Sequence, residues 1–475
     1  MSLNLNFISQ AMPERLSFAG HYKRSLLGLV GLLLLPACSE SYLTDGQLQI
    51  TIGQESEAWS ADPLPKNVVL EMVETTKRTT LANVSAPVSS ISLGTGGPEN
   101  TVASFEATAF DAATNVVMKG ATVRLQFGSS GFEDARIALF MGRMGGLSRP
   151  PGDLFFPHHH PQMLTLNHGY LLISGGDEAS PNLDVYNFPR WLPGAQQKPL
   201  PKVPESWAVA GSKILLIDHA GATWLDVSVT PYTESPVLPP VGLVFDRIIG
   251  GQTVVGADDT QYIVGATRVT GEPTNQVLRV DPDATLHLMK LGTPRLGAAA
   301  AMVNAQLLVV AGSATGEGAE VSTTDGTGFS ALPFPADARL GAAVVAQDAN
   351  TAVLAGGRDP ATDEISGFRT MDLACSEDCA QVQIAKADFA FDYPQLFSLS
   401  AGQLLAVGED PVSKETHVFT FDTGIGHALN EFALRVPRTA ASAFMLPNGQ
   451  VGVIGGESIE DEIPATSLEL FFPQP

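Results

Sequence analysis

A fixed internal period constrains this chain more than any other feature. Arg295 opens RLGAAAAMVNAQLLVVAGS, Arg339 opens RLGAAVVAQDANTAVLAGG and Arg438 opens RTAASAFMLPNGQVGVIGG. In each, the arginine precedes the first closing glycine (Gly312, Gly356, Gly455) by 17 residues. A recurring segment of this length is one supersecondary unit, unable to bury its apolar face alone. Each copy has a run of small residues such as Gly297 and Ala298 to Ala301, then a turn such as Asn448-Gly449. A short, nearly continuous apolar run follows, such as Leu307 to Val310 or Val451 to Ile454. Short β-branched runs joined by Asn/Gly turns predict hairpins. Continuous rather than alternating apolarity predicts a sheet covered on both faces.

Weaker copies fill the gaps. His158 to Gly175-Gly176 and Phe391 to Gly408 keep the 17-residue offset, Gly211 to Ile217 keeps the turn, and Gly265 marks one more copy. The closing positions are 175, 217, 265, 312, 356, 408 and 455, spaced by 42, 48, 47, 44, 52 and 47 residues. Seven units at this spacing predict a radial array of small four-stranded sheets, a β-propeller with the small-residue runs innermost. The chain resembles the kelch-repeat family in a degenerate form. The resemblance rests on the small-residue strand, the turn, the apolar strand, the Gly-Gly and later strands such as Asn182 to Phe188 and Ser467 to Phe472. The family's Tyr and Trp markers are mostly missing. The last copy ends without a fourth strand, and an open edge invites wrong pairing. Ala135 to Arg143 is therefore expected to close the last blade, the alternative being that it belongs to the preceding domain.

Before the repeats, Asn67 to Glu74, Thr79 to Leu93, Thr101 to Phe110 and Asn115 to Phe127 read as strands. Ser104 to Phe110 alternates polar and apolar residues as a half-buried strand does. The predicted fold is thus all-β: a seven-bladed kelch-like propeller over 134–475, preceded by a small β-sandwich over 49–133. The sandwich resembles immunoglobulin-like or transthyretin-like modules, with a spacer role expected and carbohydrate binding as the alternative.

The first residues carry an address. Lys23 and Arg24 precede the apolar run Leu26 to Ala37, which at 12 residues is shorter than the roughly 20 a spanning helix needs. Basic residues, a short apolar core and a small residue before the cut predict a secretory signal over 1–37. Leu35-Pro36-Ala37-Cys38 resembles a bacterial lipobox, which implies a lipidated Cys38 on a linker over 38–48. Ser39, rather than Asp, points to the outer membrane. Met1 and Met12 are alternative starts. The expected location is the cell envelope, with membrane contact through the lipid anchor only.

Losing residues 1–37 removes Glu14, Arg15, Lys23 and Arg24, leaving 49 acidic and 24 basic residues, a net charge of −25. That balance argues against nucleic acid, whose phosphates require a basic footprint. In an exported chain, Cys375 and Cys379, separated by Ser-Glu-Asp, are expected to form a disulfide across a hairpin loop.

Acids recur after the closing glycines: Asp177 and Glu178, Asp359, Glu409 and Asp410, and Glu457. In an up-and-down sheet the loop after strand two shares a face with the start of strand one. Arg295, Arg339, Arg438, Asp177, Asp359 and Glu457 are therefore expected to ring one mouth as a candidate binding face for a protein or glycan partner. The competing expectation is that arginines and acids satisfy one another between blades. His158-His159-His160, with Asp153 and His168 nearby, overlies the arginine position and is expected to be a solvated loop. A protein contact and a metal site are the alternatives, since consecutive strand residues alternate faces and three in a row cannot reach one ion. No GxSxG, HExxH, P-loop or paired CxxC pattern is present. Thr323 to Gly326 only faintly echoes a sialidase Asp-box. No catalytic residue, cofactor or metal is assigned. A carbohydrate-active enzyme (lyase, epimerase or sialidase-like) is the alternative function.

Overall fold

The computed structural model describes residues 45–473, except 95–96, 98, 134, 167–168, 176–180, 196–198, 230–231, 266–270, 385–390, 401, 425–426 and 460–465. Within these the chain is all-β, built largely of four-stranded antiparallel sheets in a propeller-like arrangement. No helix among the described residues is long and apolar enough to cross a membrane.

Seven sheets among the described residues have four strands. Sheet I comprises Gln162–Leu166, Tyr170–Ser174, Leu183–Asn187 and Leu192–Ala195. Sheet II comprises Ser206–Ala210, Lys213–Asp218, Gly221–Asp226 and Thr233–Val237; sheet III, Gln252–Val255, Gln261–Val264, Thr274–Val280 and Leu286–Arg295. Sheet IV holds Ala299–Val303, Gln306–Val310, Ala319–Ser322 and Phe329–Leu332; sheet V, Leu340–Ala346, Thr351–Arg358, Arg369–Asp372 and Val382–Gln383. Sheet VI runs Asp392–Ser400, Gln403–Glu409, Thr416–Asp422 and His427–Phe432. Sheet VII takes Ser442–Met445, Val451–Ile454 and Leu468–Phe472 from the end of the chain and Gly146–Ser148 from far upstream. Each closing position of the sequence period falls at or near the end of a second strand.

The continuous apolar runs have a direct explanation. In Gln306–Val310, Leu307 and Val309 enter the core shared with sheet III, while Leu308 and Val310 enter the core shared with sheet V. Alternate side chains of one strand thus serve two neighbours, and burying each contributes about 1.5–3 kcal/mol. Similar cores join I to II, II to III, V to VI, VI to VII and VII to I. The first strands follow one another in the same order, and Ser442–Met445 lies beside those of sheets VI and I. Their small side chains permit that approach: Ala299 and Ala300 are buried between neighbours.

The preceding region packs two sheets on one core. A three-stranded sheet orders Ser90–Gly94, Gly46–Thr51 and Arg136–Phe140. The other sheet orders Arg78–Ser85, Asn67–Val73, Val102–Phe110, Val116–Ala121 and Gly142–Arg143, with Leu125–Gln126 beside Val102–Phe110. Leu48, Ile50, Ile137 and Leu139 face Val68, Leu70, Phe105 and Met118 across that core.

The expected closing strand is corrected here. Arg136–Phe140 runs parallel to Gly46–Thr51, with Leu48 opposite Ile137, and Gly142–Arg143 pairs with Val116–Ala121. Ala135 to Arg143 therefore stays with the first module. The strand three residues further on, Gly146–Ser148, pairs with Leu468–Phe472. The segment misled because it serves both modules. Leu139 and Met141 point into the first core, whereas Phe140 packs on Trp191 and Phe472 of the other, at 5.2 and 5.7 Å between ring centres.

The disulfide joins Cys375 and Cys379, with Cα atoms 5.8 Å apart. It ties the loop between the third and fourth strands of sheet V, with Cys379 against the core shared by sheets IV and V.

Candidate functional site: the mouth beside sheets V and VI

The predicted binding face must be corrected at two positions. Arg295 and Arg438 are fully buried. Arg295 donates to Glu320 at 3.1 Å and to the backbone oxygens of Ala311, Glu317 and Gly318. Arg438 pairs with Glu469 and donates to the oxygens of Gly455 and Ser467. Each partner acid lies on the third strand and also accepts two backbone N–H groups from the segment ahead of the arginine. For Glu320 these are Gly292 and Thr293; for Glu469, Arg435 and Val436. Burial pulls both guanidinium groups below their ordinary value, against the pull of the paired carboxylates. Buried charges must be paired in this way. These arginines lock a blade entry to its third strand, and no ligand can reach them.

His158 plays the same part, so the expectation of a solvated triplet is corrected at this residue. Its side chain is buried, with Nε2 3.0 Å from Asp184 and Nδ1 2.9 Å from the Gly175 oxygen. Asp184 accepts the N–H groups of Phe155 and Phe156, matching the pattern around Glu320 and Glu469. His168 lies outside the described residues.

In sheet V the polarity is reversed. Asp337 stands ahead of the first strand, and Arg369 on the third strand donates to it at 2.7 Å and to the Gly356 oxygen. Arg339 is half-exposed and binds the other oxygen of Asp337 at 3.2 Å. Burial pushes the Asp337 carboxyl up, but Arg369 and the other donors outweigh it and hold it below the usual carboxylate range. Sequence reading aligned Arg339 with Arg295 and Arg438, and the structure gives their role to Arg369.

Of the predicted acids, Asp177 lies outside the described residues. Glu457 pairs with Thr439 in a two-residue ladder beside the entry of sheet VII. Asp359 caps a turn, its carboxylate accepting the N–H groups of Ala361 and Thr362. That turn has a twin. Asp359-Pro-Ala-Thr-Asp-Glu364 and Asp410-Pro-Val-Ser-Lys-Glu415 follow the second strands of sheets V and VI. Both close with the first residue's N–H on the last residue's oxygen, at 2.9 and 3.0 Å. Asp363 and Lys414, fifth in each turn, share a left-handed backbone.

The twin turns flank a cleft of about 380 Å³. Gly341 and Gly357 leave part of its lining bare, Phe391 and Tyr393 contribute aromatic surface, and Arg358, Asp363, Asp392 and Lys414 supply charge. Asp392 takes Arg358 at 2.7 Å on one oxygen and Lys414 at 3.1 Å on the other. Arg358 also holds the exposed Asp363 at 3.0 Å. Burial pushes Asp392 up, but the hydrogen bonds from Arg358 and Lys414 prevail and lower it.

Two features give this cleft its character. Two residues past the arginine position, the backbone is left-handed at Gly250, Gly297, Gly341, His160, Tyr393 and Ala440. The turns touch in series: the Gly341 N–H donates to Gly297 and the His160 N–H to Ala440. At Tyr393 the left-handed backbone costs an L-residue about 1–2 kcal/mol. It sits in an irregular stretch between Asp392 and Gln395, a device that re-aims a side chain. The tyrosine is 46% exposed and packs against His160, the rings tilted by 41° with centres 4.6 Å apart.

The second feature is Glu409, directly across the strand pair from Asp392. Glu409 is 4% exposed, and among the described residues its Oε1 makes no hydrogen bond. The Nε2 atom of His160 lies 3.4 Å from it. Burial pushes its carboxyl up, the Asp392 charge adds to the rise, and the Ala440 N–H and Lys414 oppose it. Sequence reading noted Asp359, Glu409 and Asp410 but missed Arg358, Asp392, Tyr393 and Lys414. The repeated Asp-Pro turn was the available signal for this corner.

No family model and no curated protein matches the chain. Among solved structures, one titled "Structure of YjhT" is similar at 12% identity and a TM-score of 0.36, covering 56% of this chain and 93% of its own. Likeness of that degree carries no argument about fold or function.

Proposed function

We propose that this is a lipid-anchored cell-envelope protein, too acidic for nucleic acid, whose mouth beside sheets V and VI binds a protein or glycan partner.

 The propeller is read as seven-bladed and kelch-like, closed by Gly146–Ser148, and the first module as an immunoglobulin-like or transthyretin-like spacer between lipid and propeller. Seven four-stranded sheets, cores joining each to the next, and the contact of Ser442–Met445 with both sheet VI and sheet I support the ring. The cleft carries the functional reading: an exposed tyrosine on a left-handed backbone, between twin turns, at a cavity of about 380 Å³. Left-handed backbone at a non-glycine residue collects where a site demands it. The buried arginines are excluded from this surface.

Site-specific photo-crosslinking in the native envelope tests the reading. A crosslinker at Asp363 should capture a partner, and one at Asp348, on the turn at the opposite end of sheet V, should not. The reverse pattern would sink the proposal. Anchoring has its own test: Cys38→Ala should move the protein from the membrane to the soluble fraction, and continued membrane partitioning would refute the lipid anchor. A carbohydrate-active enzyme remains the second reading, favoured by the juxtaposed Asp392 and Glu409 with oppositely shifted carboxyls. Turnover of an oligosaccharide that is lost in Glu409→Gln would decide for it.

A further inference from the structure

Resting on that reading of the mouth, we infer that the cleft accepts a cationic side chain, a lysine or arginine on a basic segment of a partner protein, and that Lys414 is its internal stand-in. Residues 358–364, 392–393 and 409–415 hold seven carboxylates and only two cations, Arg358 and Lys414. Asp392 and Glu409 lie opposite each other in register, an arrangement of like charges that calls for a cation. Asp392 has both its cations, whereas among the described residues the buried Oε1 of Glu409 makes no hydrogen bond and has the His160 ring nitrogen near it, at 3.4 Å.

The two cations on Asp392 differ in how firmly they are held. Arg358 reaches it at 2.7 Å and is braced by Asp363. Lys414 reaches it at 3.1 Å from an exposed turn, with its side chain 53% accessible. An exposed ion pair of this kind is weak and readily exchanged. An incoming ammonium or guanidinium replaces Lys414 on the Asp392 carboxylate and lies against the Tyr393 ring, whose face attracts cations. The strongly acidic chain draws a basic segment toward the mouth at low salt and repels an acidic one.

The test uses the purified full-length protein and three probes: capped hexalysine, capped hexaglutamate and a neutral hexasaccharide of N-acetylglucosamine. Hexalysine should bind, and more weakly as salt is raised, because screening acts on exposed charges. Asp392→Asn and Tyr393→Ala should each weaken it at least about tenfold with the melting temperature little changed. Lys414→Ala is the decisive variant, since removing the internal competitor should tighten hexalysine several-fold. A weaker or unchanged affinity in Lys414→Ala, or indifference to Asp392→Asn, would overturn the cationic ligand. Hexaglutamate or the hexasaccharide binding in its place, and lost in Tyr393→Ala, would overturn the ligand class while leaving the mouth as the binding surface. If no probe binds and the crosslinker at Asp363 captures nothing, both the ligand and the mouth reading fail.

Discussion

At the scale of single residues, the same chemistry serves two opposite ends. Arg295 and Arg438 face carboxylates in dry surroundings, where an unpaired partner is far costlier than the pair is worth. Arg438→Met should therefore lower stability by about 3–5 kcal/mol, read as a large fall in melting temperature. Adding Glu469→Leu should restore much of the loss, because no buried charge is then left alone. A single substitution that leaves the melting temperature intact would show that Arg438 is not a strut. Glu409 behaves in the other direction. Its carboxyl is raised, so the folded state holds the proton more tightly than the unfolded one, and stability falls as pH climbs through the folded value. Glu409→Gln should thus stabilise the protein at neutral pH. The gain should vanish below the ordinary carboxylate range, near about pH 4. Thermal unfolding of wild type and variant across pH checks both the sign and the window.

At the scale of elements, the entries of sheets I, IV, V and VII are each tied to their own third strand, and the tie tolerates exchange of its parts. His158–Asp184, Arg295–Glu320 and Arg438–Glu469 place the base ahead of the first strand, while Asp337–Arg369 places it on the third. Pairing is what the fold requires, and either strand can supply either charge. Exchanging the two residues of the sheet V pair, Asp337→Arg with Arg369→Asp, should accordingly be far less harmful than either change alone, as a double-mutant cycle in denaturant would reveal. The Cys375–Cys379 bridge is a lesser tie. It closes so short a loop that the chain-entropy effect is about 2 kcal/mol. Cys375→Ser with Cys379→Ser should lower the melting temperature modestly and leave ligand binding at the mouth unchanged. Lost binding would mean that the bridge shapes the cleft.

At the scale of the whole molecule, the last sheet depends on a strand that precedes every other strand of the seven four-stranded sheets. Gly146–Ser148 supplies the outer edge of sheet VII, and Leu147 is buried among side chains of sheets VI and VII. The first module is held to this junction. The Gln54 N–H donates to the Arg149 oxygen, Glu55 accepts the Arg149 N–H, and a side chain at Gly142 would collide with Phe472. Leu147→Ala should cost about 2–5 kcal/mol. It should also raise hydrogen exchange in Leu468–Phe472 before it does so in sheets III and IV. Uniform exchange across the sheets would contradict a locally closed edge.

The local period carried much of the architecture. Small residues mark the crowded first strands, continuous apolar runs mark strands with a neighbour on each face, and closing glycines mark where the second strands end. These properties are set within some twenty residues, so they survive in the one-dimensional order. The cysteine pair was legible for the same reason. Charge was not legible in this way. Arg295, Arg339 and Arg438 occupy one position of the repeat, yet two are sealed against third-strand acids and one is half-exposed. Their fate depends on Glu320, Glu469 and Arg369, each well over 20 residues away in the chain. The cleft has the same origin: Arg358, Asp392, Tyr393 and Lys414 come from two sheets, and no short segment contains them. Closure too was decided in three dimensions. Arg136–Phe140 and Gly146–Ser148 are both short strands, and only the parallel partner at Gly46–Thr51 and the free edge of Leu468–Phe472 determine which joins which. Local sequence sets what a segment can become, and long-range contacts decide which charges are buried and which remain to meet a ligand.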